Sequence, residues 1–370
     1  MPLPALMLLI FAVALVGALV GVPLAAQVGA LVGLVDRPRP GEVQRRALKR
    51  AGGYGIIAAF FLAVAVSLPF ADRVDVTEFG RLAGLAFGAA LLVPFAAWDD
   101  ARRLGPLPQL VAQIACAAVP VAFGVRLTSV SSPFGGIFDL TTNLPWLVVP
   151  ATLFWIVGMT NTLNWIDTMD GLAGGVALIT AVVLVIASLR LALPQYTIAL
   201  LPLALAGACL GFLAYNFPPA RIIMGTGGSM FLGYALGVLS IIGGAKIATA
   251  ALVLGIPIID TALVIMQRLA GGRSPFHGGD GRHLVHRLLA AGLSVRQIVV
   301  LLYALTALFG SLSLFLLKVQ KFYAFAGVLA AIALLFLFLK RRGALIAPLT
   351  GEKKYEVRST RYEVRSTNDE

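Results

Sequence analysis

Apolar runs of membrane-crossing length recur along nearly the whole chain, and they limit its fold more than any motif does. A bilayer-spanning helix needs about 20 apolar residues. Eleven such runs can be read, near 4–34, 52–71, 82–98, 108–125, 146–163, 171–189, 196–215, 227–245, 247–267, 296–317 and 322–339. Hydrocarbon offers no hydrogen-bond partner to an open strand, so these runs predict helices. The expected fold is an all-α integral membrane protein of about eleven transmembrane helices, ten at the lower count. Composition agrees, with 59% hydrophobic and 12% charged residues, against roughly 25% charged in soluble chains. So divided, 370 residues leave no room for a separate soluble domain. One polytopic unit is expected over 1–345. A polar tail follows at 346–370, carrying the near-repeat KYEVRST/RYEVRST; it has no apolar periodicity and is expected to be disordered.

Charge gives the orientation. Taking the loop at 35–51 as inside, 22 of the 29 Lys and Arg fall on inside segments. The other seven are Arg73, Arg81, Arg126, Arg190, Lys246, Lys318 and Lys321. Basic residues favour the cytoplasmic side, so the N-terminus is expected outside and the C-terminus in the cytoplasm of a cell (inner) membrane. The net charge of +12 is then accounted for by basic loops and anionic lipid headgroups rather than nucleic acid. No basic region precedes the first apolar run, which reads as a span and not a cleaved signal. Cys116 and Cys209 lie inside apolar runs, with no metal spacing and no disulfide framework.

The polar clusters all fall on the inside face. They are GLVDRPRPGEVQRRALKRAGG (33–53), WDDARRLG (98–105), NTLNWIDTMDG (161–171), NFPPARIIMGTGGSMFLG (216–233) and RSPFHGGDGRHLVHRLL (273–289). Asp99 and Asp100 could be a polar helix end anchored by Arg102 and Arg103. Adjacent carboxylates also repel unless a cation is near, and such a pair at a membrane surface suits Mg²⁺ and phosphate chemistry. Asn161, Asn164, Asp167 and Asp170 stand at steps of three. On one helix the last three would span about 120° and Asn161 would lie roughly opposite Asp170, whereas a broken helix would gather all four. Caps account for one or two such residues. Four at membrane depth are costly unless they are paired or wet.

Gly225 and its neighbours in MGTGGS would let backbone N–H groups meet an anion at a helix N-terminus. His283 and His286 share one face of a short helix or belong to an anion site with Arg282 and Arg287. Zinc is disfavoured, since the third histidine is His277 and no cysteine is close.

On these residues the chain resembles the polyprenyl-phosphate N-acetylhexosamine-1-phosphate transferases. These membrane enzymes include bacterial undecaprenyl-phosphate GlcNAc-1-phosphate transferases and, more distantly, phospho-MurNAc-pentapeptide transferase. The likeness runs from Gly33 to Tyr303. GLVDRP…GG resembles the first loop, and the Asp pair followed by Gln113 resembles the family's aspartates. NTLNWIDTMDGLAGG is similar to NxxNxxDGxDGLA, GFLAYNFPPARIIMGTGGSMFLG to GFLxxNxxPAxxFMGDxGSxxLG, and HLVHRLL to HLHHRLL.

The resemblance implies transfer of an N-acetylhexosamine 1-phosphate from a UDP-sugar, UDP-GlcNAc first, to polyprenyl phosphate, with UMP leaving and Mg²⁺ (or Mn²⁺) as cofactor. This would be the first membrane step of cell-envelope glycan assembly, of the lipopolysaccharide or teichoic acid kind. It implies Asp99, Asp100, Asp167, Asp170, His283 and His286 as catalytic residues, with Asp99 positioning phosphate before acting as a base. Asn161, Asn216, Gly225, Arg282 and Arg287 would bind substrate. Asn164, Asp170 and Thr226 would hold the metal.

Three positions depart from the pattern. Thr226 replaces a metal-ligating Asp, Val285 replaces a His, and GEVQ (41–44) replaces RKxH. Thr226 motivates the alternative of a catalytically silent relative that binds polyprenyl phosphate. A phospho-MurNAc-pentapeptide transferase is the second alternative. A secondary transporter is the third, and surface-side polar clusters argue against it. Partners are expected to be the two substrates and membrane lipids, with a homodimer allowed.

Overall fold

The computed structural model describes residues 2–36, 48–70, 76–102, 104–131, 136–190, 196–243, 247–270, 272, 283–316, 320–321, 323–330 and 334. The first part of the chain forms α1 (Leu3–Leu31), β1 (Val35–Asp36), β2 (Leu48–Lys49), α2 (Gly52–Ser67), α3 (Val76–Arg102) and α4 (Pro106–Ala122). Then come β3 (Ser129–Ser131), β4 (Ile137–Asp139), α5 (Leu140–Asn143), α6 (Val148–Ile166), α7 (Leu172–Leu189) and α8 (Tyr196–Asn216). The last elements are α9 (Gly225–Ile242), α10 (Ile247–Val253), α11 (Gly255–Ala270), α12 (Leu284–Ala290) and α13 (Val295–Phe315). The strands form two antiparallel pairs, β1 with β2 and β3 with β4.

Among the described residues, eight helices are long and apolar enough to cross a membrane: α1, α2, α3, α6, α7, α8, α9 and α13. The run expected at 247–267 is instead the pair α10 and α11, bent by 75°, a ninth span if counted as one. Pro257 explains the break. It has no N–H to return to the Val253 carbonyl and its ring crowds that turn, so α10 ends at Val253. The run at 108–125 is the shorter α4, of 17 residues. Half of the run at 322–339 lies outside the described residues, and 323–330 are helical. The expected eleven spans are thus eight, or nine with the bent pair, among the described residues.

Helix α9 is the axis of the bundle, with every residue buried. It packs against α2, α3, α6 and α7. Lipid is as apolar as leucine, so close backbone approach holds such helices together rather than hydrophobic burial. Gly53 and Gly228 show it: a Cβ on Gly53 would fall 2.2 Å from the Gly228 Cα. Five buried hydroxyls are satisfied within their own helices. Thr152, Thr160, Thr180, Ser188 and Thr306 each donate to the carbonyl four residues earlier, so they bury no orphan polar group.

Chain reversal brings one set of helix ends together: the starts of α2, α4, α7 and α9 and the ends of α3, α6 and α8. The β3–β4 pair lies at the opposite end, beside a cavity of about 120 Å³ lined by Arg81, Arg126 and Ile241, among others. None of the predicted site residues lines it.

Candidate active site

The NTLNWIDTMDG stretch is a broken helix. Asn161 and Asn164 occupy the last turns of α6, Asp167 is its C-terminal cap, and Asp170 lies in the turn before Gly171. Gly171 adopts φ +78° and starts α7, a conformation glycine takes without steric penalty. Asn216, at the end of α8, ties this turn to the next loop. Its Oδ1 accepts the Gly171 N–H at 2.9 Å and its Nδ2 donates to the Ile222 carbonyl at 2.9 Å. Asp170 Oδ2 accepts the Ala220 N–H at 2.9 Å. Asn216 therefore holds two loops in register.

Asp100 fills the site that the glycines of α9 were expected to offer an anionic ligand. Its Oδ1 accepts the Thr226 N–H at 2.8 Å and its Oδ2 the Gly227 N–H at 3.2 Å. The first N–H groups of a helix have no intrahelical partner and carry the positive end of its dipole, so a carboxylate from α3 satisfies them. Tyr54 also donates to Oδ2 at 3.0 Å. Arg50 Nε lies 3.2 Å from Oδ1, an ion pair without hydrogen-bond alignment, and Arg50 Nη2 donates to Thr226 Oγ1 at 3.2 Å. Gly225 makes room for this arrangement. A Cβ there would sit 2.7 Å from the Arg50 carbonyl oxygen and 3.1 Å from Asp100 Oδ2. The expected anion contact at Gly225 is thus made by the protein's own carboxylate and borders Arg50.

Other predicted residues are also engaged. Asp99 Oδ1 accepts the Leu104 N–H at 2.9 Å and Gln109 Nε2 at 2.8 Å, which fixes the turn into α4. Asn161 and Gln113 form a reciprocal amide pair between α6 and α4, at 2.7 and 3.2 Å. An amide in an apolar helix needs such a partner, and here the pair joins α6 to α4. Asn164 Oδ1 accepts from Ser229 Oγ at 2.8 Å.

Asp167 is different. It accepts no hydrogen bond among the described residues. Though half-buried by exposure, it is packed deeply enough that burial pushes its carboxyl up to about 7, with Arg50 opposing and Asp100 and Asp170 adding to the rise. These influences place Asp167 in the electrostatic reach of Arg50, Asp100 and Asp170. The carboxylates from α3 and from the α6–α7 turn thus share one neighbourhood.

His283 caps the start of α12 and His286 lies within it. His283 Nδ1 lies 2.8 Å from Asp260 Oδ2, and Arg287 Nη2 donates to Gln267 Oε1 at 3.0 Å. His286 is half-buried on α12, and Arg282 lies outside the described residues. Helix α11 packs against α6, with the Arg268 guanidinium 5.7 Å from the Trp165 ring centre.

Reading the sequence alone missed Arg50, Tyr54, Asp260 and Gln267. Asp260 carried a signal, being an acid inside an apolar run. Arg50 did not stand out among the six basic residues of its loop.

As for metal, the described residues contain no group of three or more His, Cys, Asp or Glu able to hold an ion. Mg²⁺ does not require one, since it takes one or two carboxylates and completes its shell with water and phosphate. Asp167, unbonded, fits that role, with Asp170 beside it. Thr226 and Asn164, expected as ligands, already accept hydrogen bonds from Arg50 and Ser229.

A model of glycosyl transferase family 4 matches residues 82–244. The chain is 32% identical over 347 residues to the "probable undecaprenyl-phosphate N-acetylglucosaminyl 1-phosphate transferase" of Bacillus subtilis, covering 92% of this chain and 91% of that one. It is 34% identical over 296 residues to the decaprenyl-phosphate N-acetylglucosaminephosphotransferase of Mycobacterium leprae, covering 73% of each. It is also 34% identical over 219 residues to the phospho-N-acetylmuramoyl-pentapeptide-transferase of Acetivibrio thermocellus, covering 55% of this chain and 62% of that one.

Proposed function

The chain belongs to glycosyl transferase family 4, and from that membership we propose that it moves an N-acetylhexosamine 1-phosphate from a UDP-sugar to polyprenyl phosphate. N-acetylglucosamine is the preferred sugar in this reading, following the names of the relatives that match most of the chain, and the motif resemblance supplies UDP as its carrier. The observation that carries it is the convergence, at one end of an apolar bundle, of one unsatisfied carboxylate with a guanidinium. Asp167 is that carboxylate, and Arg50 lies within its electrostatic reach. In a membrane that end faces the cytoplasm, on the side favoured by the basic loops. A lipid phosphate and a soluble nucleotide can meet there while the prenyl tail stays in hydrocarbon.

The reaction needs placement and charge balance more than covalent help. A lipid phosphate oxygen forms a bond to the β-phosphorus of the UDP-sugar. The anhydride bond to the α-phosphate breaks, and its electron pair leaves with UMP. A phosphate monoester with second pKa near 6 is already mostly dianionic at neutral pH, so no residue has to remove a proton. Asp99 is then a positioning group for α4 rather than a base. Arg50 offsets phosphate charge, and Asp100 keeps Arg50 and the start of α9 in place. Asp167 and Asp170 would hold Mg²⁺, which supplies Lewis-acid neutralisation of the pyrophosphate when bound.

The test incubates the purified protein with labelled UDP-GlcNAc, polyprenyl phosphate and Mg²⁺ and measures UMP and lipid-linked sugar. Equal and stoichiometric appearance of both is expected. A second reading, a silent binder of polyprenyl phosphate, is favoured by one feature: Thr226 stands where the resemblance calls for a metal-ligating acid. Absence of product with every UDP-N-acetylhexosamine, while polyprenyl phosphate still binds, would select it.

A further inference from the structure

Helices α11 and α12 are joined at two points that the reaction above does not use. Asp260, buried in α11, accepts at both oxygens: Oδ2 faces His283 Nδ1 at 2.8 Å and Oδ1 takes the Leu284 N–H at 2.8 Å. Seven residues on, Gln267 Oε1 accepts from Arg287 Nη2 at 3.0 Å. A spacing of seven is about two helical turns, so Asp260 and Gln267 share a face. His283 and Arg287, four apart, lie one turn from each other. An acid in an apolar helix is costly unless it is paired. Here both oxygens of that acid are committed to the start of α12, where the sequence places its imidazole and guanidinium.

We propose that Asp260, with Gln267 beside it, is a positioning residue for the transfer reaction, holding His283 in its Nδ1–H form so that Nε2 meets the anionic substrate, while Gln267 sets Arg287. This rests on the transferase reading above. An ionised carboxylate can only accept, so the ring proton nearest it sits on Nδ1. Nε2 makes no hydrogen bond among the described residues, and the His283 side chain keeps 12% exposure. The ring is therefore fixed at one nitrogen and open at the other, the arrangement by which a carboxylate sets which face of an imidazole does chemistry. With Nδ1 carrying the ring proton, Nε2 is the acceptor: it takes the proton of a monoanionic phosphate, which leaves the phosphate dianionic and the ring an imidazolium that donates from Nε2–H back to that oxygen, its charge balanced by Asp260.

The test is Asp260→Asn. The amide oxygen can keep the Leu284 N–H, but its NH₂ then faces Nδ1 and drives the ring proton to Nε2. Long-range ¹H–¹⁵N spectra of histidine-labelled protein at pH 8 should show one ring in the Nδ1–H form in the wild type and Nε2–H in the variant. Turnover should fall by about tenfold or more, in kcat rather than in KM for the UDP-sugar. The double variant D260N/H283A should be no slower than H283A alone, because Asp260 acts through His283. Asp260→Glu, which keeps the carboxylate, should recover part of the loss, and it also guards against a D260N chain that fails to fold. An unchanged ring form in D260N, losses that multiply in the double variant, or a D260E no better than D260N would each overturn the proposal. The spectrum reads the contact without any transfer, so an inactive protein would sink the functional reading and leave this contact standing.

Discussion

Lowering the pH from 7 to 6 separates two protons that the site could lose. Burial raises the Asp167 carboxyl to about 7, so about half of it is ionised at pH 7 and about a tenth at pH 6. If ionised Asp167 is required, turnover falls by about 5.5-fold over that unit. The lipid phosphate, with second pKa near 6, loses only about 1.8-fold of its dianion over the same interval. Together they give a drop of about tenfold, against about twofold from the lipid alone. The assay is UMP release at saturating substrates and Mg²⁺ well below half-saturation, where the rate follows the ionised fraction of metal-free Asp167, at pH 6, 6.5, 7 and 7.5. Two variants give the sign. Arg50 lowers the Asp167 carboxyl and Asp170 raises it, so Arg50→Gln should move the acid limb to higher pH and Asp170→Asn should move it to lower pH. A wild-type drop of only twofold, or limbs that move the other way, would refute the assignment of Asp167 as the titrating group.

Four further outcomes are expected. Without a cation, a native carboxyl raised from 3.8 to about 7 contributes stability that is fully present below pH 4 and lost as pH passes 7; thermal unfolding should show the apo protein weakening over that window and Mg²⁺ restoring it. Arg50→Gln leaves buried Asp100 with its N–H partners but no counter-charge. Breaking such a pair costs roughly 3–5 kcal/mol, so the apparent Tm should fall while helix content by circular dichroism is kept. Thr226→Asp places an acid within reach of Arg50 and beside Asp100 and should lower the Mg²⁺ concentration needed for half-maximal activity; an unchanged requirement would mean that position 226 is remote from the ion. Gly171→Ala puts a side chain at φ +78° and a Cβ 3.0 Å from Pro218 Cδ, at about 1 kcal/mol or more for the backbone alone, and turnover should fall as the Asp170 turn shifts.

Which parts of this architecture the sequence revealed follows from what each residue needs locally. Helices were legible because each apolar run settles its own hydrogen bonds. Span count was harder, because a bend such as that at Pro257 depends on one missing N–H and not on hydropathy. The break in the helix at Asn161 to Asp170 was legible as an option in the sequence, and Gly171 supplies it. Partner choice was not legible. Nothing in the spacing of MGTGGS says that its free N–H groups meet Asp100, more than a hundred residues earlier. Nor does the sequence say that Asn161 pairs with Gln113. Side-chain type shows that a polar group will find a partner; only the fold shows which one.

That distinction decides which carboxylate is left for chemistry. A helix N-terminus, an arginine and a tyrosine all converge on Asp100, so its charge is spent inside the protein. Asp99 is held by Leu104 and Gln109, and Asp170 by the Ala220 N–H. Each of these bonds already occupies a carboxylate oxygen. Asp167 receives none of them among the described residues and sits between an opposing guanidinium and two like charges. A bound divalent ion would supply the missing partner and release the proton that burial retains. The threonine at position 226 then has a physical reading: with a neutral side chain on Arg50, the arginine's charge balances Asp100 instead of a second acid, and on the proposed function a cation would be held by the α6–α7 turn.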